Sequence, residues 1–230
     1  MAIQKTEALL LRKKNLRETS LILSFFTRDF GKIHGVLKGV RGSRARGNAN
    51  PLYFSLDEIV FYEKKNSDLF IVSHCEAQEI FLNILKDWDR ASVAYYILEL
   101  VDVFTEPGGK VEGVFDALLN SFRALDSKKE PAATARLFEI RFLMTLGLWP
   151  GSDSFKLTKG AASTLACFEQ NNWQVSSKVK LTRAVGDEIK KITGKIITDN
   201  LERPLKTAKL FPLSDNLDTH DLSNKKQRIL

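Results

Sequence analysis

The chain has 230 residues, 43% hydrophobic and 27% charged, with 35 Lys and Arg against 28 Asp and Glu for a net charge of +7. Such a composition excludes bulk disorder, and the length allows one large domain or two small ones with a sizeable core. No run of about 18 apolar residues occurs, since even 93–104 carries Glu99 and Asp102, so a membrane span is excluded.

Lys5 and Glu7 stand where a secretory signal would be apolar. Cys75 and Cys167 lie too far apart in sequence to suggest a disulfide framework. The cytoplasm, with nucleoid association, is the expected location.

Residues 8–13 begin a series of strand-like segments. Leu21, Leu23 and Phe25 alternate with Ile22, Ser24 and Phe26, Gly31 marks a break before 33–40, and 56–62 and 69–72 flank the polar turn 64–68. Five short strands over about 75 residues is the size of a small closed barrel, and the oligonucleotide-binding (OB) fold is the five-stranded barrel most often paired with a basic face.

The positive charge lies in this part. The first fifty residues hold eleven Lys and Arg against Glu7, Glu18 and Asp29, while the remainder is nearly balanced. Such asymmetry makes a local field, and nucleic acids are the commonest cytoplasmic polyanions. An anionic membrane is the weaker alternative, because these cations lie among strands and a glycine-containing loop rather than on an amphipathic helix.

Residues 41–50 contain Arg41, Arg44 and Arg46 and no large apolar side chain, so they cannot bury enough surface to order alone. A loop is expected there, either a solvated hairpin connection or an arm that orders on phosphate. Arg17, Arg28, Lys32, Lys38, Arg41, Arg44 and Arg46 are the expected DNA-binding residues. Phe30 and Tyr53, next to turns, are the least core-like aromatics for stacking under bases.

After residue 80 the period becomes helical. Residues 88–104 are apolar on nearly every side, with Asp87 placed to cap and Pro107, Gly108 and Gly109 to end the connection. Val111, Val114, Phe115, Leu118, Phe122 and Leu125 form the stripe of a second helix. A third runs from Pro131 to Gly147, and Leu181, Val185, Ile189, Ile192 and Ile196 mark a fourth. Between them, 161–169 suggests a short helix and 173–175 a strand. The chain therefore divides as α+β, with a barrel over 1–78 and helices over 79–230, of which 213–230 is a polar tail expected to fray.

Catalytic signatures are missing. His34, His74 and His220 sit in no recognisable motif, and Gly108-Gly109-Lys110 lacks the upstream glycine of a phosphate-binding loop. Two cysteines cannot complete a four-ligand zinc site. The expectation is a non-enzyme without metal or cofactor. A nuclease would need clustered carboxylates.

The segment Arg17-Glu-Thr-Ser-Leu-Ile-Leu-Ser-Phe-Phe-Thr-Arg-Asp-Phe-Gly-Lys32, continued by Gly35-Val-Leu-Lys-Gly-Val-Arg41, resembles the N-terminal signature of the bacterial RecO family, with Leu37 and Val40 in place of two alanines. Arg203-Pro-Leu-Lys-Thr-Ala-Lys-Leu-Phe211 is similar to a C-terminal segment of that family, and the stretch from Glu130 to Gly147 to its central helix. The resemblance runs from about residue 5 to 211. It implies an OB-fold barrel followed by a helical domain, and a recombination mediator without enzymatic turnover. It also implies binding of single- and double-stranded DNA, annealing of complementary strands, contact with the acidic C-terminal tail of single-stranded-DNA-binding protein, and work with RecR in loading RecA.

Many relatives carry a four-cysteine zinc module where 149–180 here keeps only Cys167, so a degenerate, zinc-free module is expected. For the acidic tail, an apolar groove rimmed by cations is required. Arg136 and Arg141 beside Leu137 and Phe138 offer one, joined by Arg203 and Lys206 if the C-terminal segment folds back. The alternative is a solvated basic helix face. The rival to the whole reading is an RNA-binding barrel protein serving the ribosome or translation.

Overall fold

The structure is a computed structural model and describes residues 2–16, 18–40, 51–64, 67–127 and 129–209. Strands β1 (Ile3–Leu16), β2 (Ser20–Thr27), β3 (Gly31–Leu37), β4 (Ser55–Lys64) and β5 (Ser67–Ile80) close into a barrel in the order β1-β2-β3-β5-β4. β3 and β5 pair in parallel, the other neighbours antiparallel, and β4 returns to β1. Closure leaves no sheet edge unpaired. This is the five-stranded OB architecture that the strand count and turn spacing predict.

The apolar run from Ala8 to Leu11 is too continuous for a strand with one wet face. Ala8 and Leu10 point into the barrel with Leu23, Phe25, Ile59 and Phe61. Leu9 and Leu11 point outward, where with Phe26, Phe54 and Leu56 they join the core of the helices. The outer wall of the barrel and the helices therefore share one apolar core, distinct from the cluster inside the barrel. Phe54 has φ of 63°, a left-handed conformation unusual for a bulky residue, and its ring is held edge-on by Tyr95 at 4.7 Å and Phe122 at 5.7 Å.

Helices follow as α1 (Leu82–Leu85), α2 (Trp88–Phe104), α3 (Val114–Asp126), α4 (Pro131–Thr145), α5 (Lys159–Gln170), α6 (Trp173–Ser176) and α7 (Arg183–Asp199), with 3-10 turns at Ser152–Ser154 and Lys206–Lys209. The Asp87 carboxylate accepts from the Asp89 and Arg90 amides, so the cap that the sequence predicts is in place, and its pKa is lowered by those bonds. Glu130 caps α4 ahead of Pro131.

One expectation is corrected. Residues 173–175 belong to α6, because the Asn172 side chain accepts from the Val175 amide and starts a helical turn. On α7 the fully buried residues are Ile189, Thr193, Gly194 and Ile197, with Leu181, Val185 and Ile196 of the expected stripe packed beside them partly buried.

The barrel is clasped to the loop after α2. Gly31, at φ of 63°, sits so close to that loop that an added Cβ would stand 2.2 Å from the Gly109 carbonyl oxygen, and the Gly108 amide donates to the Lys32 carbonyl at 2.8 Å. Gly31 thus serves the close backbone approach, while Gly108, at φ of 75°, serves the turn.

Candidate nucleic-acid interface

Of the seven expected DNA-binding residues, Arg17, Arg41, Arg44 and Arg46 lie outside the described residues, as do the rest of 41–50 and the polar tail 213–230. The other three occupy different environments. Lys38 is exposed at the end of β3. Arg28 is engaged at 2.6 Å with Glu7 and at 2.8 Å with Asp116 of α3, and lies over the Phe115 ring. Burial works against its charge, but the two carboxylates outweigh it and raise its pKa.

Lys32 is buried. Its ammonium donates to the Asp102 carbonyl at 2.7 Å and to the Asp102 carboxylate at 3.4 Å, joining barrel to α2. Arg28 and Lys32 are therefore corrected from phosphate contacts to internal ties, because a cation already satisfied by carboxylates has little field left for a ligand.

Other cations on or just beyond the strands include Arg12, Lys13, Lys14 and Lys38, while Lys5 of β1 is exposed but paired with Glu58 at 2.8 Å. Arg12 stays 59% exposed, 4.0 Å from Asp102. The Lys13 ammonium lies 5.3 Å from the centre of the Tyr53 ring, and its amide donates to the Tyr53 hydroxyl at 3.1 Å. Phe30 packs edge-on against Phe61 and Tyr53 lies at the barrel's seam with α2, both partly buried.

Ionisable groups inside the barrel are not reactive ones. Burial raises the Asp57 carboxyl, against hydrogen bonds from Ser55 and Cys75 that lower it. Burial, reinforced by the charge of Asp57, pushes the Cys75 thiol up, away from the thiolate that nucleophilic chemistry needs. Cys167 is partly exposed on α5. Among the described residues no three His, Cys, Asp or Glu side chains group to hold a metal ion, and no helix is long and apolar enough to cross a membrane.

The expected tail-binding set is not brought together. Arg136, Leu137 and Phe138 are all buried, at 2%, 2% and 0% exposure. Arg136 lies 2.9 Å from Glu139, whose carboxylate also accepts from the Tyr96 and Thr193 hydroxyls, each at 2.6 Å. Tyr96 is driven well above its ordinary pKa by burial first and then by the Glu139 charge. This network ties Arg136 of α4 to Thr193 of α7 through Glu139.

Arg141 faces elsewhere and is half-buried, with its pKa lowered by desolvation. Arg203 and Lys206 do fold back, but onto α2. Arg203 approaches Glu99 and Asp102 at 3.7 and 3.8 Å, while Glu99 accepts from the Lys206 and Thr207 amides and the Thr207 hydroxyl.

Sequence reasoning missed a different groove. A cleft of about 410 Å³ has Leu137, Trp173 and Leu181 in its walls and Lys129, Lys178 and Lys180, all exposed, around it. The only clue in the sequence was the alternation of Lys and apolar residues over 178–181.

Fold and charge together define an OB-type barrel protein with an appended helical bundle. The recombination protein O N-terminal family matches residues 1–81, and the recombination protein O C-terminal family matches residues 85–154. A DNA repair protein RecO of Caldicellulosiruptor saccharolyticus is 30% identical over 224 residues, covering 90% of each chain. The DNA repair protein RecO of Alkaliphilus metalliredigens is 33% identical over 175 residues, 76% of this chain and 68% of the other. The chain belongs to the recombination protein O family.

Proposed function

We propose that this protein is a non-enzymatic DNA repair mediator of the RecO kind. It binds single- and double-stranded DNA through the barrel, residues 1–78, and anneals complementary strands. With RecR it helps RecA load onto DNA coated by single-stranded-DNA-binding protein. The observation that carries the reading is similarity across 90% of the chain to a protein named for DNA repair. The concentration of positive charge in the first fifty residues supports it. Annealing follows if these cations reduce repulsion between two strands while base edges stay free to pair.

Because Arg28 and Lys32 are internally satisfied, the phosphate contacts fall to Lys38, Arg17, Arg41, Arg44 and Arg46, with Arg12, Lys13 and Lys14 beside them. About five neutralised phosphates give a slope of log affinity against log salt near −3.5 on single strands, at roughly 0.7 per contact. Reversing Arg41, Arg44 and Arg46 to Glu is expected to weaken binding of every sequence and flatten that slope, read by oligonucleotide titration at several salt concentrations. A slope that stays at the wild-type value would remove the arginine segment from the interface.

The helical part, residues 79–230, receives the acidic C-terminal tail of the single-stranded-DNA-binding protein. An apolar cleft among lysines suits a peptide that is acidic and ends in apolar residues, so the groove between Leu137, Trp173 and Leu181 is the seat we assign. Lys178→Glu combined with Lys180→Glu is expected to weaken a tail peptide roughly tenfold, at up to about 1 kcal/mol per exposed pair. Undiminished affinity in a fluorescence titration would rule this groove out.

A further inference from the structure

We infer that the seam between the barrel and α2 is a base-stacking platform for single-stranded nucleic acid, built on Tyr53 and Tyr95 and flanked by Arg12 and Lys206. The inference rests on the DNA-binding reading above and adds the groups that would tell a single strand from a duplex.

Helix α2 is apolar nearly all round, yet two of its aromatics stand in solvent: Trp88 is 49% exposed and Tyr95 36%. Seven residues separate them, which on a helix is the same face about 10 Å apart. The Tyr53 and Tyr95 rings meet edge-on at 5.3 Å. Tyr53 is fixed from behind by the Lys13 amide on its hydroxyl and the Lys13 ammonium near its ring, and Tyr95 by the Phe54 ring.

Both tyrosines line a cleft of about 170 Å³ together with Arg12, Arg203 and Lys206. Glu99 and Asp102 also line it, but Glu99 accepts from the Lys206 and Thr207 amides and the Thr207 hydroxyl and faces Arg203, and Asp102 faces Lys32, Arg203 and Arg12. These contacts offset part of their repulsion toward a phosphate. Fixed aromatic rings with cations on both sides are what unpaired bases and their backbone require. A duplex, whose bases already stack on one another, offers the rings nothing.

The test compares a labelled single-stranded oligonucleotide with a duplex of equal length, each titrated at several salt concentrations. Tyr95→Ala is expected to weaken the single strand roughly 5- to 100-fold, the loss of one stacked base, with duplex affinity and the salt slope unchanged. Tyr95→Phe should restore wild-type affinity. Tyr95→Leu, which keeps an apolar group against Phe54, should show the single-strand loss without the packing defect that Tyr95→Ala introduces. Unchanged single-strand affinity in Tyr95→Leu, or equal losses on single strand and duplex, would overturn the platform while the DNA-binding reading stood, and would leave the exposed stripe as a protein-facing surface. Failure of the wild-type protein to bind either substrate would overturn both.

Discussion

Glu139→Ala is expected to cost about 3–5 kcal/mol of folding stability, a large share of the roughly 5–15 kcal/mol that holds a typical domain together. The glutamate is fully buried, and its two oxygens serve Arg136, Tyr96 and Thr193. Removing it leaves the Arg136 guanidinium charged in an apolar interior and takes the Tyr96 hydroxyl's acceptor. Thr193 suffers less, because it also bonds the Ile189 carbonyl at 3.1 Å.

Desolvation decides the sign of the companion experiment. Replacing Arg136 by Met and Glu139 by Leu together removes both charges, so the double variant should recover most of the single-truncation loss, short of wild type because the Tyr96 hydroxyl still loses the Glu139 carboxylate. Urea denaturation with an unchanged slope would measure it. A loss below about 1 kcal/mol in Glu139→Ala would mean that water reaches the pair. An Arg136 variant thus reports on folding and not on a ligand.

The second large effect is expected at Asp102, where Asp102→Ala should cost about 3 kcal/mol, the low end of the range for orphaning a buried charge. The Lys32 side chain is 8% exposed and Asp102 10%, so the ammonium cannot turn to solvent without opening the seam. The effect stays at the low end because the strongest contact, 2.7 Å to the Asp102 carbonyl, belongs to the backbone and survives. Lys32→Met in the Asp102→Ala background should recover most of the loss. The denaturation curve should shift without splitting in two, since Leu9, Phe26 and Phe54 tie barrel and helices into one core. Two separate transitions would contradict the shared core.

What could be read from sequence was what depends on neighbours along the chain. The five strands announced themselves by alternation and breaks, and α2 and α4 by Asp87 and by Pro131, because caps and periods act within a few residues. The four-residue helix α6 is too short to show a period, and only the Asn172 cap distinguishes it from a strand. Arg28 and Lys32 looked like surface cations because their partners, Asp116 and Asp102, are 88 and 70 residues away. Arg136 and Glu139 did carry a local signal: opposite charges three residues apart on a helix otherwise rich in Leu, Phe and Ile, which marks a buried pair more than a wet face. Tyr95 was hidden by the apolar surroundings of α2, since a few exposed positions on a mostly buried helix leave little trace in its composition.

The outward-pointing Leu9, Leu11, Phe26, Phe54 and Leu56 have a geometric corollary. A cylinder fastened along one flank to a second body keeps only an arc of its wall for a guest. If the barrel holds a strand as proposed, a polymer following that arc must cross the line of attachment or stop short of it, and the helices then set a limit on how many nucleotides one molecule can cover.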